Sequence, residues 1–142
     1  MRGVIDCSVV LAWFFADEKT IFTDSLLGGI GAGSLWVPAL WPSEFVNALL
    51  SAERRKRIDR KARHAMINAI QDLPFYVDRE AVPLAVINHV AEQYELTAYD
   101  AAYFELAQRR NLTLVTLDKA LVRAARVAKH LLLTDLERFP ES

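Results

Sequence analysis

The sequence predicts an α/β domain built on a parallel sheet. Short apolar runs rich in β-branched residues alternate with helical stretches along the chain, the pattern left by strands joined through crossover helices. The first run is apolar at every position before its terminal acid, as a strand buried on both faces is. The length of 142 residues and the 53% hydrophobic content suit one domain with one core, so residues 1–142 are read as a single unit.

Residues 3–6 form the first strand. A short apolar helix over 8–16 follows, then Asp17-Glu18 and a second helix to about Leu27. The glycines between Gly28 and Gly33 end that helix; no strand precedes them, so they lack the context of a phosphate-binding loop. Leu35-Trp36-Val37 is the second strand, closed by Pro38. Trp41-Pro42-Ser43-Glu44 opens a helix through Ala52, with proline in the first turn and an acid facing the positive end of the dipole. A further helix covers 59–73, with Ala62, Ala65, Met66, Ala69 and Ile70 in one stripe. Phe75-Tyr76-Val77 is the third strand, and residues 80–95 read as helix with Pro83 in its first turn. Thr97 to Asp100 open a helix ending near Arg110-Asn111. Residues 112–115 are the fourth strand, 117–128 a helix and 131–133 the fifth strand.

Net charge is −1 and the isoelectric point about 6.3, so bulk basic charge does not point to nucleic acid. The single cysteine, Cys7, excludes an internal disulfide and suits a reducing cytoplasm. The first residues enter an apolar strand with no pattern of a signal peptide, and no stretch has the length of a membrane span.

Four acids stand where strands end or helices begin. Asp6 follows the first strand, Glu44 lies in the first turn after the second, and Asp118 follows the fourth by two residues. The helix of Asp100 feeds the fourth strand through a short connection, so it ends at the amino edge and begins at the carboxyl edge. Topology alone therefore brings all four to the edge where ligands of such sheets bind. Taken singly, each acid has a structural explanation as a cap or dipole partner. Taken together, carboxylates about 5 Å apart repel by roughly 3 kcal/mol at an effective dielectric of 20, which calls for a cation. All-oxygen ligation selects Mg²⁺ or Mn²⁺, and such ions hydrolyse phosphodiesters by polarising a phosphoryl oxygen and activating water. The hydroxyls of Ser8 and Thr116 beside Asp6 and Asp118 suit either a metal-bound water or a helix cap, the commoner role.

Four blocks in order carry a resemblance: Val4-Ile5-Asp6-Cys7-Ser8-Val9-Val10; Val37-Pro38 with Pro42-Ser43-Glu44-Phe45-Val46-Asn47-Ala48-Leu49; Leu96-Thr97-Ala98-Tyr99-Asp100-Ala101-Ala102-Tyr103; and Leu114-Val115-Thr116-Leu117-Asp118-Lys119-Ala120-Leu121. The chain resembles a PIN-domain ribonuclease, specifically a VapC-type toxin. The resemblance implies a three-layer α/β/α domain with sheet order 3-2-1-4-5. It also implies Mg²⁺- or Mn²⁺-dependent endonuclease action on RNA, often tRNA or rRNA, a homodimer, and a VapB-like antitoxin whose tail enters the active site. Asp6, Glu44, Asp100 and Asp118 carry over as the acidic set, with Asp6 and Asp100 the most direct metal ligands.

The run from Glu53 to Arg63 is the one dense basic patch, and it suits either a grip on RNA phosphates or a solvated connection between helices. Arg109 and Arg110 suit the negative end of their helix. His64, His89 and His130 share no ligand spacing. Trp13, Phe14, Phe15, Trp36 and Trp41 suit core or dimer packing, Cys7 is a small buried hydrophobe, and Asp135 follows an edge strand and stays outside the site. A receiver-like signalling domain expects an acid pair after the first strand, where Cys7 follows Asp6. A haloacid-dehalogenase-type phosphatase expects an Asp where Ser8 stands. A catalytically silent binding module has no need to keep four acids together.

Overall fold

Five strands and seven helices alternate among the residues that the computed structural model describes, 2–29, 31 and 33–135. The strands are β1 (Gly3–Ile5), β2 (Leu35–Pro38), β3 (Phe75–Asp78), β4 (Thr113–Val115) and β5 (Leu132–Leu133). All pair in parallel, in the order β3-β2-β1-β4-β5, as the resemblance implies. Val4, Ile5, Val37, Leu114 and Val115 are fully buried, which is why these strands read as unbroken apolar runs.

The helices are α1 (Cys7–Phe14), α2 (Ile21–Gly28), α3 (Trp41–Arg54), α4 (Arg60–Gln71), α5 (Leu84–Tyr94), α6 (Ala98–Arg110) and α7 (Lys119–Ala128). Right-handed crossovers from β1 through β3 place α1 to α4 on one face; the return to β4 and β5 places α5 to α7 on the other. The packing agrees. α1 meets α2 and α3, and α3 meets α4; α6 meets α5 and α7 and lies across β1, β2 and β4. Trp41 stacks on Phe45 with ring centroids 5.3 Å apart and tilts against Phe75 at 5.1 Å, fixing the start of α3 to the sheet.

Gly3 is required by its neighbour. A Cβ there would stand 2.9 Å from the Thr113 carbonyl oxygen and 2.9 Å from the Val115 side chain, so β1 and β4 approach as closely as they do only without one.

The helices read over 8–16 and 59–73 each end two residues early, at Phe14 and Gln71, and two helix starts move further into the chain. The helix read over 80–95 begins at Leu84: Pro83 is its N-cap, extended at φ −60° and ψ 146°, and proline steers the residue before it away from helix. The helix read from Leu117 begins at Lys119, because Asp118 caps it, accepting from the Leu121 N–H at 3.0 Å. Ile30 and Ala32 in the glycine stretch, and residues 136–142 of the domain, lie outside the described residues. No helix among the described residues is long and apolar enough to cross a membrane.

Candidate active site

Each of the four acids sits at the carboxyl edge of the sheet. Asp6 is the N-cap of α1, immediately after β1. Glu44 is in the first turn of α3, Asp100 in the first turn of α6, and Asp118 caps α7 after β4. Glu44, Asp100 and Asp118 are half-buried, whereas Asp6 is only 5% exposed.

Asp6 is held by two hydroxyls and the backbone N–H of Val9. Ser8 donates to its Oδ1 at 2.5 Å and Thr116 to its Oδ2 at 2.8 Å. The same hydroxyl oxygens accept backbone N–H groups: Ser8 Oγ from Leu117 at 3.2 Å, and Thr116 Oγ1 from Asp118 at 2.9 Å. Neither hydroxyl caps the following helix, the commoner role expected of them; they stitch the end of β1 to the turn after β4. Among the described residues, no cation neutralises Asp6. Burial pushes its carboxyl up to about 7, the Asp118 charge adds to the rise, and the two hydroxyl bonds offset part of it. Asp100 is also raised, by burial first and then by the charges of Asp118 and Glu44, against the Thr97 hydrogen bond.

Glu44 has a partner that the sequence did not disclose. The Tyr103 hydroxyl donates to its Oε1 at 2.9 Å, and Tyr103 is 1% exposed. Tyr103 lies one turn beyond Asp100 on α6, so one helix carries Asp100 and braces Glu44. Burial, then the Glu44 charge, holds the phenol far above its ordinary range, so it stays a donor. The available signal was that spacing, together with the need of a buried phenol for a partner. Cys7 is buried beside the same charges. Burial, then Glu44 and Asp6, push its thiol up, which makes it a poor nucleophile.

The acids thus form a chain of neighbours that sense one another, Asp6 with Asp118, Asp118 with Asp100, and Asp100 with Glu44. Among the described residues, no three His, Cys, Asp or Glu side chains stand close enough, as placed, to share one ion. The donor chemistry nonetheless fits a hard divalent cation: carboxylate and hydroxyl oxygens, with a buried acid that lacks a countercharge.

The remaining sequence candidates fall elsewhere. His64 and His89 are exposed, and His130 lies 2.7 Å from the Leu112 carbonyl oxygen. Trp13, Phe15 and Trp41 are buried in the core, with Phe14 and Trp36 packed against it. Arg109 and Arg110 stand in the last turn of α6, as expected for the dipole, but they also clamp Asp78 at the end of β3. Arg109 donates to Asp78 Oδ2 at 2.6 Å and Arg110 to Oδ1 at 3.0 Å, while Arg109 also meets Glu80 and Glu105. Asp135 follows β5, an edge strand.

Similar proteins accord with this architecture. The solved structure of PAE2754 from Pyrobaculum aerophilum superposes with a TM-score of 0.69 at 28% identity, over 87% of this chain and 84% of that one. FitAcB from Neisseria gonorrhoeae gives 0.64 at 13% identity, over 92% and 96%, a likeness of fold. No curated protein sequence matches. The PIN domain profile matches residues 3–127, a span that includes all four acids from Asp6 to Asp118; the chain belongs to the PIN domain family, whose members are generally nucleases.

Proposed function

We propose that this chain is a metal-dependent endoribonuclease acting as the toxin of a type II toxin–antitoxin pair, with Asp6, Glu44, Asp100 and Asp118 as its acidic set. The observation that carries the proposal is Asp6: a buried carboxylate, braced by two hydroxyls, beside a second acid and without a countercharge among the described residues. A fold does not retain so costly a group for stability. The four carboxylates would hold Mg²⁺ or Mn²⁺, which when bound supplies Lewis acidity at a phosphoryl oxygen.

The chain's own contribution is orientation. Ser8 and Thr116 fix the Asp6 carboxylate, and Tyr103 fixes Glu44. No protein nucleophile is needed, and the buried Cys7 does not supply one. The motif blocks support a VapC-type identity, and with it a VapB-like antitoxin, an RNA substrate such as tRNA or rRNA, a homodimer and action in the cytoplasm.

The chain purified without a partner protein should cleave RNA with Mg²⁺ or Mn²⁺, and lose that cleavage with EDTA and in Asp6→Ala. Calorimetry should detect Mn²⁺ binding to the wild type and none to Asp6→Ala. Equal cleavage by both proteins would mark a contaminating nuclease and defeat the proposal. Mn²⁺ binding and RNA cleavage both absent from the wild type would favour a catalytically silent partner-binding domain.

A further inference from the structure

We infer that the corner where α3 turns into α4 is a second contact surface for RNA, gripping the phosphate backbone away from the acidic cleft. The inference rests on the nuclease reading only for the identity of the polyanion; the charge and its placement are independent of it.

The segment 53–64 holds seven Arg or Lys against two acids, a net of +5 in a chain whose total is −1, so the other 130 residues carry −6. Folding does not neutralise this excess. Arg57 is committed to Asp17 at 2.9 Å and lies 4.4 Å over the Phe15 ring, and Arg63 faces Glu53 at 3.4 Å. Asp59 caps α4 through the Ala62 N–H. The side chains of Arg54, Arg55, Lys56, Arg60 and Lys61 are exposed and form no ion pair among the described residues. Lys56 holds a left-handed backbone at φ 61°, which reverses the chain and sets the cations of the two helices around one bend. An open depression of about 490 Å³ lies there, lined by Asp59, Arg60, Lys61 and His64.

Helix α3 connects this corner to the cleft. Glu44 lies near its start and Arg54 at its end, ten residues apart, or about 15 Å at the helical rise. That is the span of roughly four to five stacked nucleotides. An acidic cleft repels the polyanion it must cut, so most of the attraction has to come from elsewhere on the surface, and this corner is the densest source of it.

The test uses the full chain carrying Asp100→Asn to suppress cleavage, with fluorescein-labelled oligouridylate of two lengths: three nucleotides, and about twelve, within the range that single-strand sites cover. Neutralising Arg54→Gln, Arg55→Gln, Arg60→Gln and Lys61→Gln should weaken binding of the longer strand at least about tenfold. The slope of log affinity against log salt should become shallower by about 3. Binding of the trinucleotide should not change. A control of equal net charge, Lys19→Gln, Arg79→Gln, Arg126→Gln and Lys129→Gln, should retain most of the affinity. Unchanged binding of the longer strand would overturn the inference and leave the corner to a protein partner. An equal loss in the control would also overturn it, reducing the effect to net charge. Because the readout is binding, failure of the nuclease proposal would show separately, as absent cleavage in the chain with Asp100 intact.

Discussion

Two aspartates in this molecule occupy nearly equivalent positions and have opposite fates. Asp6 follows β1 and Asp78 ends β3; they are 5% and 4% exposed. Asp78 is gripped by Arg109 and Arg110. Burial opposes its ionisation, but the hydrogen bonds and charges of the two guanidinium groups outweigh that and hold its carboxyl below the usual range. Asp6 receives hydroxyls and a neighbouring negative charge, and its carboxyl rises. Equal burial at a strand's end therefore says nothing about role. A buried acid with cations within reach ties the fold together, and one without them is left ready for a ligand.

The contrast can be broken most sharply by removing each charge. Asp6→Asn should abolish metal-dependent RNA cleavage, on the order of a thousandfold or more, without lowering thermal stability at neutral pH. Asp78→Asn should leave cleavage within about threefold yet cost about 2 kcal/mol, or roughly 5 °C in Tm, because two partly buried guanidinium groups lose their shared acceptor. Kinetics and thermal melts on the same two proteins check both statements; swapped phenotypes would invert the assignment.

Acidity should separate the pair next. Asp6 has a raised folded value, so its favourable contribution is fully present below the unfolded carboxylate value and is lost as pH rises through about 7. Asp78 is depressed, so its contribution is present above the unfolded value and is lost as pH falls through the folded one. Melts between about pH 3 and 8 should show Asp6→Asn gaining on the wild type toward the alkaline end, and Asp78→Asn converging with it toward the acidic end. Parallel curves for both variants would refute the contrast. The smallest effect should come from Tyr103→Phe, which keeps the ring and removes the donor to Glu44: a fall of roughly tenfold in cleavage with about 1 kcal/mol of stability lost. In Glu44→Gln the same change should do little further, and a full second loss there would mean that Tyr103 does not act through Glu44.

What was legible in the sequence follows from what is local. Apolar runs such as Val4-Ile5 and Leu114-Val115 disclose strands because burial on both faces selects such residues, and the edge shared by the four acids follows from chain direction. The start of α5 was misread because an acid and a proline resemble a first turn, whereas Pro83 holds the extended backbone of a cap. Side-chain partners were not legible. Tyr103 reads as one more core aromatic until folding brings the starts of α6 and α3 to one edge of the sheet, since its acceptor is 59 residues away. The guanidinium groups that hold Asp78 lie 31 and 32 residues along the chain, and only packing reveals them.

The bare Cα of Gly3 has a reach beyond its own strand. It sits at the far end of β1 from Asp6, about 10 Å away at the strand rise. A methyl group there would wedge β1 from β4. Asp6 hangs from the first of those strands and the Thr116 hydroxyl from the second. Prying them apart at one end would slacken the knot at the other, so the least substantial residue in the sheet governs, from a distance, the grip on its most exacting carboxylate.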